Sequence, residues 1–220
     1  MAYLGEVEAK ALLAQEGLPV NPTFEVRSLE EALEKADSLG YPVVLKVSSG
    51  KIVHKSDVGG VVLGISNAQE LEGAFRSLEE KMKALDPQAS FSIQPHVSSG
   101  LELVVGITTD PSFGQVIMFG LGGVWVEVLE DVSFRLVPIE ERDAVEMMEE
   151  LKGKKLLEGF RGIPPVDKDA LARFLFQVSS VAHARNIGEM DLNPVMVTKE
   201  GLVIVDARVV TGEGERQGIG

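Results

Sequence analysis

Pro42-Val-Val-Leu-Lys-Val47 and the segment it runs into, Ser48-Ser-Gly-Lys-Ile-Val-His-Lys-Ser-Asp-Val-Gly-Gly60, decide how the chain is read. The first is a compact β-branched run that reads as a buried strand, yet Lys46 lies inside it. A buried ammonium costs several kcal/mol unless an anion or hydrogen-bonding partner compensates it. Lys46 therefore meets either an internal carboxylate or a bound phosphate, and the strand alone leaves both open. The following loop gathers Lys51, Lys55, several hydroxyls and the paired Gly59-Gly60, the donors and supple backbone that an oligophosphate cradle needs. It is not a Walker A loop, which reads GxxxxGK[ST]. His54 stands between the two lysines, where a neutral imidazole can take and return a phosphoryl group; a solvated loop histidine is the alternative.

Upstream, residues 4–16 place Leu4, Val7, Ala11 and Leu12 on one helical face, with Gly17 and Pro19 as stop signals. Ser28 with Glu31 makes a capping box before the stripe Ala32, Leu33, Ala36 and Leu39. Downstream, Asn67 with Glu70 starts another helix carrying Leu71, Phe75, Leu78, Met82 and Leu85. From Phe91 the texture changes to short β-rich runs at 91–97, 101–109, 115–119, 124–129 and 134–138. A helix bearing Val145, Met148 and Leu151 follows, then a long one bearing Leu171, Phe174, Leu175, Val178 and Val181, then strands near 190–198 and 202–207. The pattern predicts an α+β protein of two lobes, 1–96 and 97–210, with a flexible tail over 211–220.

Composition narrows the function. The 220 residues hold 21 Lys and Arg against 34 Asp and Glu, a net charge of −13, so a surface that binds nucleic acid or anionic lipid needs a basic patch the sequence does not offer. No cysteine is present, which removes disulfides, thiol catalysis and thiolate metal sites together. The first residues lack the basic flank and apolar stretch of a signal peptide, and no apolar run is long enough to span a bilayer, so a cytoplasmic protein is expected.

A second constellation is Asp191-Leu-Asn-Pro194 with Asp206 on the next strand. With Glu200-Gly201 as the turn, Asn193 pairs with Arg208 and Asp206 lies diagonal to Asn193 on the same face, roughly 7–8 Å away. Two converging oxygens suit Mg²⁺ on a nucleotide, because that ion fills its other positions with water and phosphate oxygens. A turn-capping Asn and a surface Asp form the alternative. Gly120-Leu-Gly-Gly123 is either a hairpin turn or a backbone-donor lid, Glu102 and Glu127 are strand-edge charges or site carboxylates, and Arg135 is a surface charge or a phosphate clamp. His96 and His183 read as structural.

Together these segments resemble the ATP-grasp, or β, subunit of the NDP-forming acyl-CoA synthetases, best known as ADP-forming acetyl-CoA synthetase. The resemblance rests on Glu6-Val-Glu-Ala-Lys-Ala-Leu-Leu-Ala-Gln-Glu-Gly-Leu-Pro-Val20, Gly40-Tyr-Pro-Val-Val-Leu-Lys46, His54-Lys-Ser-Asp-Val-Gly-Gly-Val61 and Gly100-Leu-Glu-Leu, then Asp110-Pro-Ser-Phe-Gly-Gln, Met118-Phe-Gly-Leu-Gly-Gly-Val-Trp-Val-Glu-Val-Leu129, Asp191-Leu-Asn-Pro and Val205-Asp-Ala-Arg208. An acidic-x-Asn-Pro strand with a following Asp is also similar to the β subunit of succinyl-CoA synthetase. The resemblance implies an ATP-grasp fold, two lobes with nucleotide bound between them, and a set of roles. Lys46 would contact the α- and β-phosphates of ATP or ADP. Gln94, Pro95, His96 and Val97 would form the hinge against adenine, with Glu102 on the ribose and Arg135 among the nucleotide contacts. Asn193 and Asp206 would ligate Mg²⁺ with Asp191 nearby, and His54 would be a phosphohistidine fed by the partner subunit's own histidine. The implied reaction is acyl-CoA, ADP and phosphate giving acid, CoA and ATP. A separate α subunit would bind CoA and acid, in an α2β2 assembly. Two other classes compete: a different ATP-grasp carboxylate ligase, and a non-catalytic nucleotide-sensing or scaffold module.

Overall fold

Two antiparallel sheets organise the computed structural model, which describes residues 2–49, 58–123, 129–159 and 165–212, without the side chains of residues 83 and 84. The chain divides into two units, one of Gly5–Lys10 with Asn21–Ser98, the other of Met1–Leu4, Ala11–Val20 and Ser99–Gly220.

In the unit of residues 5–10 and 21–98, strands β2 (Phe24–Val26), β3 (Val43–Ser48), β4 (Val61–Ile65) and β5 (Ser90–Pro95) align in the order β2-β5-β3-β4. Helices α2 (Leu29–Leu39) and α3 (Ala68–Leu85) pack against it. Both begin where the sequence predicts: the Ser28 hydroxyl accepts from Glu31 N at 3.2 Å, and Asn67 Oδ1 accepts from Glu70 N at 3.0 Å. Val43, Leu45 and Val47 join Phe91, Ile93, Leu71, Phe75 and Leu78 in one buried cluster. Full burial of each such side chain contributes about 1.5–3 kcal/mol. Because strand side chains alternate, Val44 and Lys46 point to the opposite face, so the same packing that fixes β3 also fixes the lysine.

Helix α1 (Glu6–Gln15) departs from the expected stripe. Its buried positions are Glu6, Ala9, Lys10 and Leu13, whereas Ala11 is exposed and Leu4, Val7 and Leu12 are half-buried. The inward face contains two charged residues, which an apolar periodicity cannot register.

The other unit holds a seven-stranded sheet in the order β1-β11-β9-β6-β7-β8, with β10 also paired to β9. Its strands are β1 (Ala2–Leu4), β6 (Leu101–Asp110), β7 (Gly114–Leu121), β8 (Val132–Leu136), β9 (Ile187–Thr198), β10 (Gly201–Ile204) and β11 (Ala207–Thr211). Helices α4 (Glu141–Glu150) and α5 (Lys168–Ala184) pack on the face lined by Leu103, Val105, Ile107, Ile117, Phe119 and Leu192. In α4 the buried residues are Ala144, Met147 and Met148, while Val145, expected on the apolar face, is 40% exposed. The five apolar positions predicted for α5 are all buried. Among the described residues, no helix is long and apolar enough to cross a membrane.

The hairpin after β9 turns on Lys199-Glu200 rather than Glu200-Gly201, since Gly201 already pairs with Thr198. Gly201 has φ +126°, which suits the residue leaving the turn. The register therefore moves by two: Arg208 lies opposite Asp191, and continuing the register of the pairs on either side, Ala207 with Leu192 and Ile204 with Val195, sets Asn193 opposite Asp206 instead of diagonal to it. A shift of two keeps every side chain on its face.

Candidate functional site

Lys46 is the centre of a buried polar group on the face of the four-stranded sheet opposite its apolar core. Cross-strand pairing sets Lys46 beside Ser92 and Val44 beside Gln94. The first turns of α1 bring Glu6 and Lys10 against that face. Lys46 Nζ donates to Glu6 Oε1 at 2.7 Å, and Lys10 Nζ reaches the same oxygen at 3.3 Å. Lys10 Nζ also donates to Gln94 Oε1 at 2.7 Å and Thr23 Oγ1 at 2.8 Å. Residue exposures are 5% for Glu6, 2% for Lys10, 5% for Lys46 and 1% for Gln94. Of the two readings left by the strand, the internal ion pair is therefore present, and it compensates a burial that would otherwise cost several kcal/mol.

Asn193 and Asp206 belong to the face of the larger sheet turned away from α4 and α5. Asp191, two residues before Asn193, shares that face, and Gly106 pairs with Asp191. Alternation along β6 from Gly106 puts Glu102 there too, and alternation along β11 adds Arg208. Asn193, Asp191 and Glu102 are exposed and Asp206 is half-buried. Surrounding protein atoms draw the Asp191 carboxyl away from water and push its pKa up, the Asp206 carboxylate pushes it further, and Arg208 opposes both. Asp191 and Asp206, beside the carboxamide oxygen of Asn193, form an oxygen-rich donor set for a hard divalent cation. Among the described residues no group of three or more His, Asp or Glu could hold a metal ion by itself, so the set suits an ion completed by water and phosphate rather than a closed protein cage.

The segment Gln94 to Val97 ends β5. Asn21 Nδ2 donates to the Pro95 carbonyl at 2.9 Å, and His96 N donates to Pro42 O at 2.9 Å, while His96 and Val97 remain half-buried. Gly120-Leu-Gly-Gly123 has a packing explanation. A Cβ on Gly120 would stand 2.7 Å from Asp131 O, and one on Gly122 would stand 3.0 Å from Glu102 C and Cβ. Gly122 N donates to Glu102 O at 2.7 Å, and Gly123 has φ +61°, so the loop lies directly on the Glu102 segment.

Arg135 is not brought to these groups. It sits on β8, three strands from β9 and so about 14 Å away across the sheet. Its guanidinium bonds Glu150 at 2.5 Å and Glu146 at 3.5 Å. Arg135, followed by the Ser133 hydroxyl, holds the Glu150 carboxyl down to about 2. His54, with Lys51, Lys55 and Glu127, lies outside the described residues. Apolar pattern reading overlooked Glu6 and Lys10; the signal that could have found them is their Glu-to-Lys i,i+4 spacing, which places both on one side of α1.

Comparison with known proteins adds findings of three kinds. A family model described as ATP-grasp domain matches residues 1–211. Acetate–CoA ligase [ADP-forming] II of Archaeoglobus fulgidus is 46% identical over 211 residues, covering 96% of this chain and 31% of that protein, so the chain spans about a third of that relative's length. Acetate–CoA ligase [ADP-forming] II subunit beta of Pyrococcus furiosus is 43% identical over 212 residues, covering 93% of this chain and 90% of that subunit. Among solved structures, dinucleotide forming acetyl-coenzyme A synthetase 1 of Ca. Korarchaeum cryptofilum, in complex with coenzyme A and Ca-AMPCP, superposes with a TM-score of 0.90 at 42% identity over 96% of this chain and 93% of that one. The same enzyme in complex with coenzyme A and Mg-AMPPCP, its phosphohistidine segment pointing towards the nucleotide site, gives 0.82 at 41% identity, covering 96% of this chain and 93% of that one.

Proposed function

The chain belongs to the ATP-grasp domain family, alongside the β subunits of ADP-forming acetate–CoA ligases, and from that premise we propose that it is the nucleotide-binding subunit of a cytoplasmic enzyme of this kind. The reaction converts acyl-CoA, ADP and phosphate into acid, CoA and ATP. CoA and acid bind on an α subunit, which in the longer relatives corresponds to the rest of one fused chain, and the separate subunits assemble as α2β2.

Lys46 contacts the α- and β-phosphates of ADP or ATP, its position fixed by the packing of β3. Asn193 and Asp206 hold the magnesium ion that accompanies the nucleotide, with Asp191 beside them. When bound, that ion neutralises phosphate charge and orients the terminal phosphoryl group. Gln94 to Val97 meet the adenine and Glu102 the ribose. His54 takes phosphoryl from the α subunit's histidine and passes it to ADP: the P–N bond to imidazole breaks as the bond to the β-phosphate oxygen forms. Charge neutralisation and positioning carry this chemistry, because phosphoryl transfer asks little covalent work of the protein.

The observation that carries the reading is the opposition of Asn193 and Asp206 across the β9 hairpin, beside an Asp191 carboxyl whose pKa is raised. The test mixes this chain with an α subunit and supplies acetyl-CoA, ADP and labelled phosphate. ATP should form only in the mixture, with label recovered on His54. Turnover without label at His54 removes the relay and leaves nucleotide binding standing; no turnover with any α subunit removes the enzyme assignment.

A further inference from the structure

In the unit of residues 5–10 and 21–98, two ammonium groups share one carboxylate oxygen. Glu6 Oε1 is 2.7 Å from Lys46 Nζ and 3.3 Å from Lys10 Nζ. Lys10 is anchored independently by Gln94 Oε1 at 2.7 Å and Thr23 Oγ1 at 2.8 Å, and the Thr23 hydroxyl itself lies 2.9 Å from Gln94 Oε1. The side chains of Glu6 and Lys10 are each 3% exposed and that of Lys46 6%, so the sharing takes place out of water, where charge-assisted hydrogen bonds are strongest.

We propose that Lys10 is a positioning residue for nucleotide binding, acting through Glu6: it draws on the shared carboxylate and so limits how tightly Glu6 holds Lys46. The inference rests on the reading that Lys46 meets the nucleotide phosphates. A carboxylate that serves Lys46 alone competes fully with an incoming phosphate for the same ammonium. One that is divided between two ammonium groups competes less, while still compensating part of the buried Lys46 charge before nucleotide arrives. Gln94 and Thr23 make the division possible, because they hold the second ammonium within reach of the same oxygen.

The test measures magnesium-ADP affinity by titration calorimetry on the full chain, with thermal melting in parallel. Lys46→Met is expected to weaken binding about tenfold or more, the loss of a charge-assisted contact. Lys10→Met is expected to weaken it about fivefold, and Lys10→Arg, which keeps the charge, to restore most of that. The deciding measurement is the double variant. If Lys10 acts through Lys46, Lys10→Met costs nothing further in the Lys46→Met background. A residue that only stabilises the fold lowers the melting temperature in both backgrounds and moves affinity in neither.

Unchanged affinity in Lys10→Met, or losses that multiply in the double variant, overturns the proposal. If Lys46→Met itself binds normally, the phosphate reading fails and this inference with it; a loss in Lys46→Met alone removes only the inference. Should Lys10→Met not fold, Thr23→Val decides: loosening the anchor should weaken magnesium-ADP about twofold to threefold, and no change overturns the claim.

Discussion

Replacing Gly122 by alanine tests how closely the glycine loop rests on β6. The added Cβ would stand 3.0 Å from the main-chain carbon and Cβ of Glu102 and 3.2 Å from its carbonyl oxygen. These atoms belong to a strand paired on both sides, so they cannot swing aside as a side-chain tip would. The loop must lift instead, losing the 2.7 Å bond from Gly122 N to Glu102 O. Overpacking costs about 1–3 kcal/mol and the lost hydrogen bond about 0.5–1.5, giving about 1.5–4.5 kcal/mol in all. Urea unfolding measures this, with Gly73→Ala as the control: Gly73 lies within α3 with nothing inside 4 Å of its built Cβ, so alanine there should stabilise by about 0.5–1 kcal/mol. Because Glu102 is the proposed ribose contact, magnesium-ADP affinity should fall about tenfold in Gly122→Ala and stay unchanged in Gly73→Ala. A Gly122→Ala protein within 0.5 kcal/mol of the parent, by that urea measurement, would refute the packing argument.

Asn193→Ala and Asp206→Ala should each weaken magnesium-ADP binding by about tenfold or more in calorimetry, and normal affinity in both would remove the metal assignment. The Asp191 carboxyl has a raised pKa, so the folded state holds that proton more tightly than the unfolded chain; its contribution to stability is greatest below the ordinary value of 3.8 and declines as pH rises through the raised one. Asp191→Asn should accordingly raise the melting temperature at pH 7 and shrink the stabilisation given by added magnesium; a lower melting temperature contradicts this. Glu150 behaves in the opposite sense. Its carboxyl lies near 2 against an ordinary 4.5, so its contribution is present above 4.5 and lost as pH falls towards 2, and Arg135→Met should flatten the acid melting profile across that window.

What the sequence made legible follows its local signals. Ser28 and Asn67 cap the helices they were expected to cap, and the apolar stripe of α5 is buried throughout, because caps and 3.6-residue periodicity are written in neighbouring residues. Lys46 stood out for a similar reason, a charge inside an apolar strand. The inward face of α1 did not: Glu6 and Lys10 are buried through partners at Lys46 and Gln94, far along the chain, and hydropathy reads both as solvent-facing. Val145 falls outside the buried face because Ala144 and Met147 complete the stripe with Met148 and Leu151, one step round the helix. The relation of Asn193 to Asp206 depended on which two residues make the turn, and Gly201 fits either choice until its pairing with Thr198 is seen. Arg135 looked equally suited to phosphate or to carboxylate, since a guanidinium recognises both by the same geometry; Glu146 and Glu150 became its partners only through the packing of α4 beside β8.

Strands β1 and β11 pair antiparallel, with Ala2 opposite Thr211, so positions more than two hundred residues apart in the chain sit about 5 Å from each other at one edge of the larger sheet. A short peptide splice could join them there, and new ends could be cut at the exposed tip of the β6–β7 hairpin near Ser112 without disturbing either sheet's pairing. For gene architecture the same adjacency means that an appended domain would leave from one corner whether it was fused in front of Ala2 or behind Thr211. Reordering the segments of a multidomain ligase would then preserve where its pieces emerge.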